Sequence, residues 1–447
     1  MHKRAKALGL WTCTALVMGN MIGSGIFLLP ASLAVYGGIS LLGWLFTAAG
    51  AWMLALLFAG FARTLPRAGG PYAYSRAGLG DFAGFLVAWG YYISLLTGNA
   101  AIAVAMVSYA SVFWPALSAS PALGALTAMG AIVLLTAINV RGVKAAGIVQ
   151  LVTTVLKVTP LVAVTFFGLG QINFDHFQPF NLSNETTFGA ITATAALTLW
   201  AFLGLESATV PADDVADADK TIPRATLLGT LLATILYVAA TVAVMGLVSP
   251  GELAASDAPF ADAASAMWGH WGAMAVAAGA TISCFGALNG WTLNTGQIPA
   301  AAARDGVFPG RFGHLSRFGT PAASLVFSAV LVCLLIAANY TRGLVGLFTF
   351  AILLSTTTVL IPYVFSAVAQ LVVTLRDGSI PPGGSVIKVA VVSTLAFLYS
   401  VWAVAGAGHE AVYWGFLLLL AGLPVYAWML IKGKRSGQEQ KRTSKVQ

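Results

Sequence analysis

Charge is what this sequence has least of. Only 9% of its 447 residues are Asp, Glu, Lys or Arg, against about 25% in a soluble globular domain. Hydrophobic residues make up 58%, so a water-soluble fold would have too little polar surface to cover itself. Cysteine is scarce as well. Cys13, Cys284 and Cys333 are the only three, and they form neither a CxxC pair nor a disulfide framework. They read as small buried apolar residues. Histidine is limited to His2, His176, His270, His314 and His409, all in loops or tails and without HExxH spacing. No metal site and no cofactor are expected. A Walker loop is missing too, which excludes ATP-driven pumping by this chain alone.

What the sequence does have is long apolar runs. A membrane-spanning helix needs about 20 mostly apolar residues. Such stretches fall at roughly 8–31, 38–62, 80–113, 121–139, 146–171, 187–210, 226–249, 268–298, 321–338, 345–373, 387–404 and 411–431. They are too long and too uniformly apolar for barrel strands, which alternate with period two. The first run follows a short basic start but is too long for a signal-peptide core and lacks a small-residue cleavage site, so it is expected to remain as a span. The expected fold class is an all-α membrane protein of about twelve spanning helices.

Charge placement tests that topology independently. With both termini in the cytoplasm, 21 of the 23 basic residues fall on the cytoplasmic side. Arg342 alone falls on the other side, and Lys157 falls within a span. This bias predicts the orientation in an inner membrane. The net charge of +8 then reflects topology and calls for no nucleic-acid partner. The basic run 432–447 reads as a solvated tail at the lipid surface.

Two spans break the apolar rule near their middles. The first contains Gly19-Asn20-Met21-Ile22-Gly23-Ser24-Gly25-Ile26, and the sixth contains Trp200-Ala201-Phe202-Leu203-Gly204-Leu205-Glu206-Ser207. Glycine mixed with polar groups at mid-membrane suits unwound backbone lining a polar cavity. The breaks lie five spans apart, the pattern of two five-helix repeats of inverted topology, each beginning with a broken helix. The expected units are 1–171 with the first repeat, 187–373 with the second, 387–431 with two further spans, and the tail 432–447. Exposed N–H groups at a break bind a carboxylate, and freed carbonyls bind an ammonium group. One cavity offering both suits an α-amino acid. The competing reading of the first break is a small-residue packing motif.

Glu206 is the one acidic residue placed in the interior of a span, and Lys157 the one basic residue. Intramembrane charges are costly and mark function. Glu206 is placed to meet a cationic substrate or a proton, or else to hold broken helix ends together. Lys157, three residues before Pro160, is either a built-in cation that replaces sodium or relays protons, or a static tether. Trp200 and Trp291 lie too deep for the interfacial belt. An indole face there holds a cation or simply packs. Asn99 and Ser355 add neutral hydrogen-bonding groups that serve substrate or a neighbouring helix.

At these residues the sequence resembles the amino acid–polyamine–organocation superfamily, and within it the basic amino acid/polyamine antiporters, which include the arginine/agmatine and putrescine/ornithine exchangers. The resemblance covers nearly the whole chain. It is carried by Gly19–Pro30, Gly69–Tyr74, Leu197–Ser207, Asp219–Pro223 and Gly290–Gly306. It implies that Ser24 and Gly25 form a carboxylate-binding turn and that carbonyls of Ile22, Trp200 and Leu203 take an α-amino group. It further implies that Trp200 is a proximal gate, that Trp291 stacks on the substrate side chain, and that Asn99 and Ser355 contact that side chain. Tyr91, Glu206 and Tyr363 match a distal gate, with Glu206 as the pH-responsive group. Two departures stand out: Leu95 and Ile102 replace Cys and Met in the side-chain pocket, and Lys157 replaces an apolar residue. The expected function is an exchanger of cationic amino acids or diamines. The alternative is a proton-coupled, sodium-independent permease for neutral amino acids. The implied partners are a small-molecule substrate, protons, the lipid bilayer and a second copy of the chain as a homodimer.

Readings from other classes fare worse. Gly78-Leu79-Gly80-Asp81 fits the GxGD pattern of intramembrane aspartyl proteases, but that chemistry needs two aspartates sharing a proton, and no span supplies the second. A channel needs polar rings or a selectivity loop. A solute sensor built on a transporter fold is separated only by measuring flux.

Overall fold

The computed structural model describes residues 8–65, 70–141, 159–209, 212, 215–381 and 384–431. Among these, ten stretches are long and apolar enough to cross a membrane. In the first, α1 (Leu10–Met21) and α2 (Ser24–Ala34) meet at a break. There follow α3 (Ser40–Thr64), α4 (Pro71–Leu79), α5 (Asp81–Ala110) and α6 (Pro121–Arg141). The apolar helix α7 (Thr159–Gln171) stands where the fifth span is expected. The second half holds α8 (Thr187–Phe202), α9 (Ala218–Leu247), α10 (Pro259–Arg304), α11 (Ala322–Asn339) and α12 (Gly343–Asp377). The chain closes with α13 (Val386–Gly406) and a last span over Gly408–Ile431. One of the ten stretches, Ala322–Asp377, is the pair α11 and α12. With α7, the twelve expected spans are each represented.

α5 is the hub. Every residue of its most apolar window is buried, against 11% in the last span. It packs on α12, α10 and α4. Lipid tails are as apolar as leucine, so helices in a membrane associate through close packing and hydrogen bonds. α5 supplies both, with small residues such as Gly84, Ala88, Gly90, Ser94 and Gly98 buried along it.

Two boundaries differ from expectation. α9 begins at Ala218 rather than near 226, because the Asp217 carbonyl accepts from both Lys220 N and Thr221 N and starts the helix in polar sequence. Its 30 residues make about 45 Å of helix, longer than the hydrocarbon core of about 30 Å. α10 begins at Pro259, not 268. Gly269, with φ +70, separates a leading segment from the spanning one, and the backbone there favours glycine.

Proline inside the spans is compensated. Pro299 has no N–H for the Thr295 carbonyl. Ser324 Oγ and Ser328 Oγ on α11 donate to that carbonyl instead, at 3.1 and 3.3 Å, and Tyr92 on α5 joins Ser328 at 2.8 Å. The freed group thus binds three spans together.

At the end of the bundle holding the start of α5, Arg76 Nε donates to Asp81 Oδ1 at 2.8 Å, and Tyr72 Oη donates to Asp305 Oδ2 at 3.0 Å. Burial, with the bond to Asp305, pushes the Tyr72 phenol well above its ordinary range, so it stays a donor. Asp81, the aspartate of the GxGD run, is an exposed partner of Arg76 at this surface.

Candidate functional site

The site forms where the two broken spans meet. Ile22 (φ −75, ψ 89) and Gly23 (φ −127, ψ −140) leave the helical region between α1 and α2. In the sixth span, α8 stops at Phe202. Leu203 (ψ 132) is extended, and Gly204 has φ +102, a conformation that only glycine adopts readily. A Cβ on Gly204 would stand 3.1 Å from the Asn20 Cβ, so the breaks pack directly together. The sixth-span turn is held by local bonds. Ser207 N donates to the Gly204 carbonyl at 2.9 Å, and Thr209 N to the Glu206 carbonyl at 2.8 Å.

Two indoles cover the breaks. Trp200 and Trp291 have ring centroids 5.3 Å apart, with planes inclined by 47°. Trp200 lies against Gly25, where a Cβ would meet its Cδ1 at 2.8 Å. Ser24 is buried, and its hydroxyl has no partner among the described groups. Such a group costs stability unless something bonds to it.

Glu206 is fully buried. Tyr91 Oη donates to its Oε1 at 2.8 Å and Tyr363 Oη to its Oε2 at 3.0 Å. A carboxylate removed from water needs such donors. Asn20, Tyr91, Leu203, Glu206, Trp291 and Asn294 border a cavity of about 20 Å³, room for about one water. On the Arg342 side lies a larger cavity of about 470 Å³, bordered by Ser32, Thr349, Phe350, Arg342 and Glu410.

Comparison with known proteins decides the family. A profile of the family described as amino acid permease matches residues 8–426. The chain is 36% identical over 374 residues to the cadaverine/lysine antiporter of Escherichia coli K12, covering 81% of this chain and 83% of that protein. It is 32% identical over 433 residues to the putrescine transporter PotE of Haemophilus influenzae, covering 97% and 99%. Identity to PotE of Escherichia coli K12 is 32% over 432 residues, covering 95% and 96%. This chain is an amino acid permease. It belongs to the amino acid–polyamine–organocation superfamily, and its relatives include basic amino acid/polyamine antiporters.

In this permease, Ile22, Ser24, Gly25, Trp200, Leu203, Trp291, Tyr91, Glu206 and Tyr363 converge on the breaks and the cavity. Asn99 and Ser355 are placed differently. Asn99 Nδ2 donates to the Leu95 carbonyl at 2.7 Å, and Thr292 Oγ1 donates to Asn99 Oδ1 at 3.1 Å. Asn99 therefore ties α5 to the residue after Trp291. Ser355 Oγ lies 2.7 Å from the Ser94 carbonyl and 2.8 Å from Ser94 Oγ. Neither borders the small cavity; Ser94 and Leu95 do. Ile102 is buried in the core away from it. Lys157 lies outside the described residues.

Sequence reasoning passed over Gly98. A Cβ there would stand 2.6 Å from Trp291 Cζ3 and 2.8 Å from Trp200 Cη2. Both indoles thus rest on the bare backbone of α5. The one signal in the sequence is its place beside Asn99, at a depth where two tryptophans need room. Asn20 and Asn294 were also missed, although Asn20 stands inside the first broken run.

Proposed function

We propose that this permease exchanges cationic amino acids and diamines by alternating access. One observation carries the reading. Among the described residues, Glu206 is the only charged side chain in the buried set, and it borders a cavity that Trp291 also lines, with Trp200 packed against Trp291. A buried carboxylate sharing a cavity with an indole is the arrangement that takes an ammonium group out of water. The relatives, an antiporter of cadaverine and lysine and transporters of putrescine, support the same substrate class.

The substrate carboxylate docks on the Ser24–Gly25 turn, where a hydroxyl with no partner among the described groups stands at the N-terminal end of α2. The α-amino group meets carbonyls of Ile22, Trp200 and Leu203. The side chain runs between Trp291 and Glu206, with Asn99 holding Trp291's helix in place. A cavity of about 20 Å³ holds no diamine, so Trp200 and Trp291 must separate for entry. The larger cavity beside Arg342 is the outward vestibule. The Tyr91–Glu206–Tyr363 cluster closes the opposite side, and Glu206 is the proton-responsive group. Rocking of the repeat units 1–171 and 187–373 then moves the opening from one face to the other. The distribution of basic residues supports a cytoplasmic position for both termini.

The test is transport by Trp291→Ala and Glu206→Gln in proteoliposomes. Trp291→Ala raises the KM for lysine and diamines, and Glu206→Gln flattens the pH profile. Wild-type behaviour in both variants overturns the site assignment.

A further inference from the structure

A second binding feature lies on the outer face, away from the transport site. α6 and α11 enclose an open groove of about 730 Å³. Val133 and Val140 on α6 and Val326, Val330, Leu334 and Ala337 on α11 form its walls. The α11 residues recur at helical spacing along one face. Val133 and Leu334 are exposed by 58% and 60%, so the trough faces outward into the bilayer. Its walls run from Met129 to Arg141 on α6, about 18 Å of helix. One leaflet of the hydrocarbon core is about 15 Å deep. The groove therefore has the length of one leaflet.

Its two ends differ. One ends in apolar side chains. The other carries Arg141, at the end of α6, and Arg317, just before α11. Thr320 Oγ1 donates to the Val140 carbonyl at 2.8 Å and fixes the Arg317 turn beside Arg141. Among the described residues no acidic side chain borders the groove, and the ion pairs they form involve neither arginine. Thr136 lines the groove, with its hydroxyl oxygen turned into the protein and without a partner among the described groups. It stands about 7.5 Å along the helix from Arg141, below headgroup level.

We propose that this groove holds an anionic glycerophospholipid. An acyl chain lies in the trough, and the headgroup phosphate sits between Arg141 and Arg317. Charge complementarity selects this occupant over a zwitterionic lipid or a second copy of the chain. The inference is independent of which solute the permease carries.

The experiment is native mass spectrometry of the full-length protein, titrated with phosphatidylglycerol or with phosphatidylcholine of the same acyl chains. Wild type binds phosphatidylglycerol more tightly. Each basic group near an anionic headgroup contributes about fivefold, so the R141A/R317A double variant loses about thirtyfold of that affinity. Val330→Trp fills the trough and weakens both lipids. Thermal unfolding in detergent confirms that the variants are folded. Equal binding of the two lipids by wild type overturns the proposal, as does unchanged phosphatidylglycerol affinity in R141A/R317A. A protein dimer that forms in place of the lipid adduct and is lost in Val330→Trp also overturns it, in favour of a second copy.

Discussion

Trp200 and Trp291 meet over Gly98, each indole within 3 Å of where a Cβ on that residue would stand. Helix α5 thereby sets how closely the two indoles approach. The rings pack 5.3 Å apart, and the cavity that Trp291 lines with Glu206 has room for about one water.

Replacing Gly98 with alanine forces two rigid rings to move. Overpacking of this kind costs about 1–3 kcal/mol. Gly98→Ala is expected to slow transport by about tenfold or more, because the closed state is the one it penalises. Gly130→Ala is the control: nothing stands within 4 Å of its added methyl, and its transport is expected to be unchanged. Initial rates for both variants, with intrinsic tryptophan fluorescence as the reporter of the rings, check this.

Ser24 separates substrates by their chemistry. Its hydroxyl has no protein partner among the described groups, so Ser24→Ala removes an unmet polar group and leaves thermal stability unchanged or slightly raised. Lysine has a carboxylate for that hydroxyl to donate to, and cadaverine has none. The KM for lysine is expected to rise by about tenfold, the worth of one hydrogen bond to a charged group, while that for cadaverine stays near wild type. Competition of each compound against labelled lysine measures the difference.

The sequence made the architecture legible where long apolar runs leave few alternatives. Ile22 to Gly25 and Leu203 to Glu206 were readable as breaks because glycine and polar groups have no other reason to stand at mid-membrane. Gly269 was not readable as a break, since one glycine within an apolar run fits helix packing equally well. The roles of Asn99 and Ser355 were hidden for a different reason. A buried amide or hydroxyl looks the same in sequence whether it faces a ligand or a neighbouring helix, and Thr292 and Ser94 become partners only in three dimensions. Arg141 and Arg317 read only as topology signals until α6 and α11 brought both to one groove.

Pro299 gives a prediction about stability alone. Ser324 and Ser328 donate to the Thr295 carbonyl that the proline leaves free. The double replacement Ser324→Ala, Ser328→Ala strands a buried carbonyl and is expected to cost about 1–3 kcal/mol, seen as a lower unfolding temperature in detergent. Restoring one serine is expected to recover most of the loss.

Asp257 gives a pH prediction outside the membrane. Burial, with the nearby charge of Asp262, holds its carboxyl above the usual carboxylate range. The folded state thus takes up its proton more readily than the unfolded state does, where aspartate titrates near about 3.9. The penalty is full above the folded-state value and is relieved as pH falls through it. Asp257→Asn is expected to raise the unfolding temperature at pH 7, with the gain shrinking as pH falls toward the ordinary aspartate range. Melting curves from pH 4 to 8 test the sign.

The central claim is exchange of cations at the Trp200–Trp291–Glu206 site. The most direct measurement is uptake of labelled lysine into proteoliposomes that are either empty or loaded with cadaverine, at acidic and neutral pH. Rapid uptake into loaded vesicles only, lost in Trp291→Ala, is the predicted result. Equal uptake into empty vesicles under a pH gradient would contradict exchange and make Lys157 the first residue to change. Uptake of neutral amino acids with no uptake of lysine would contradict the site itself.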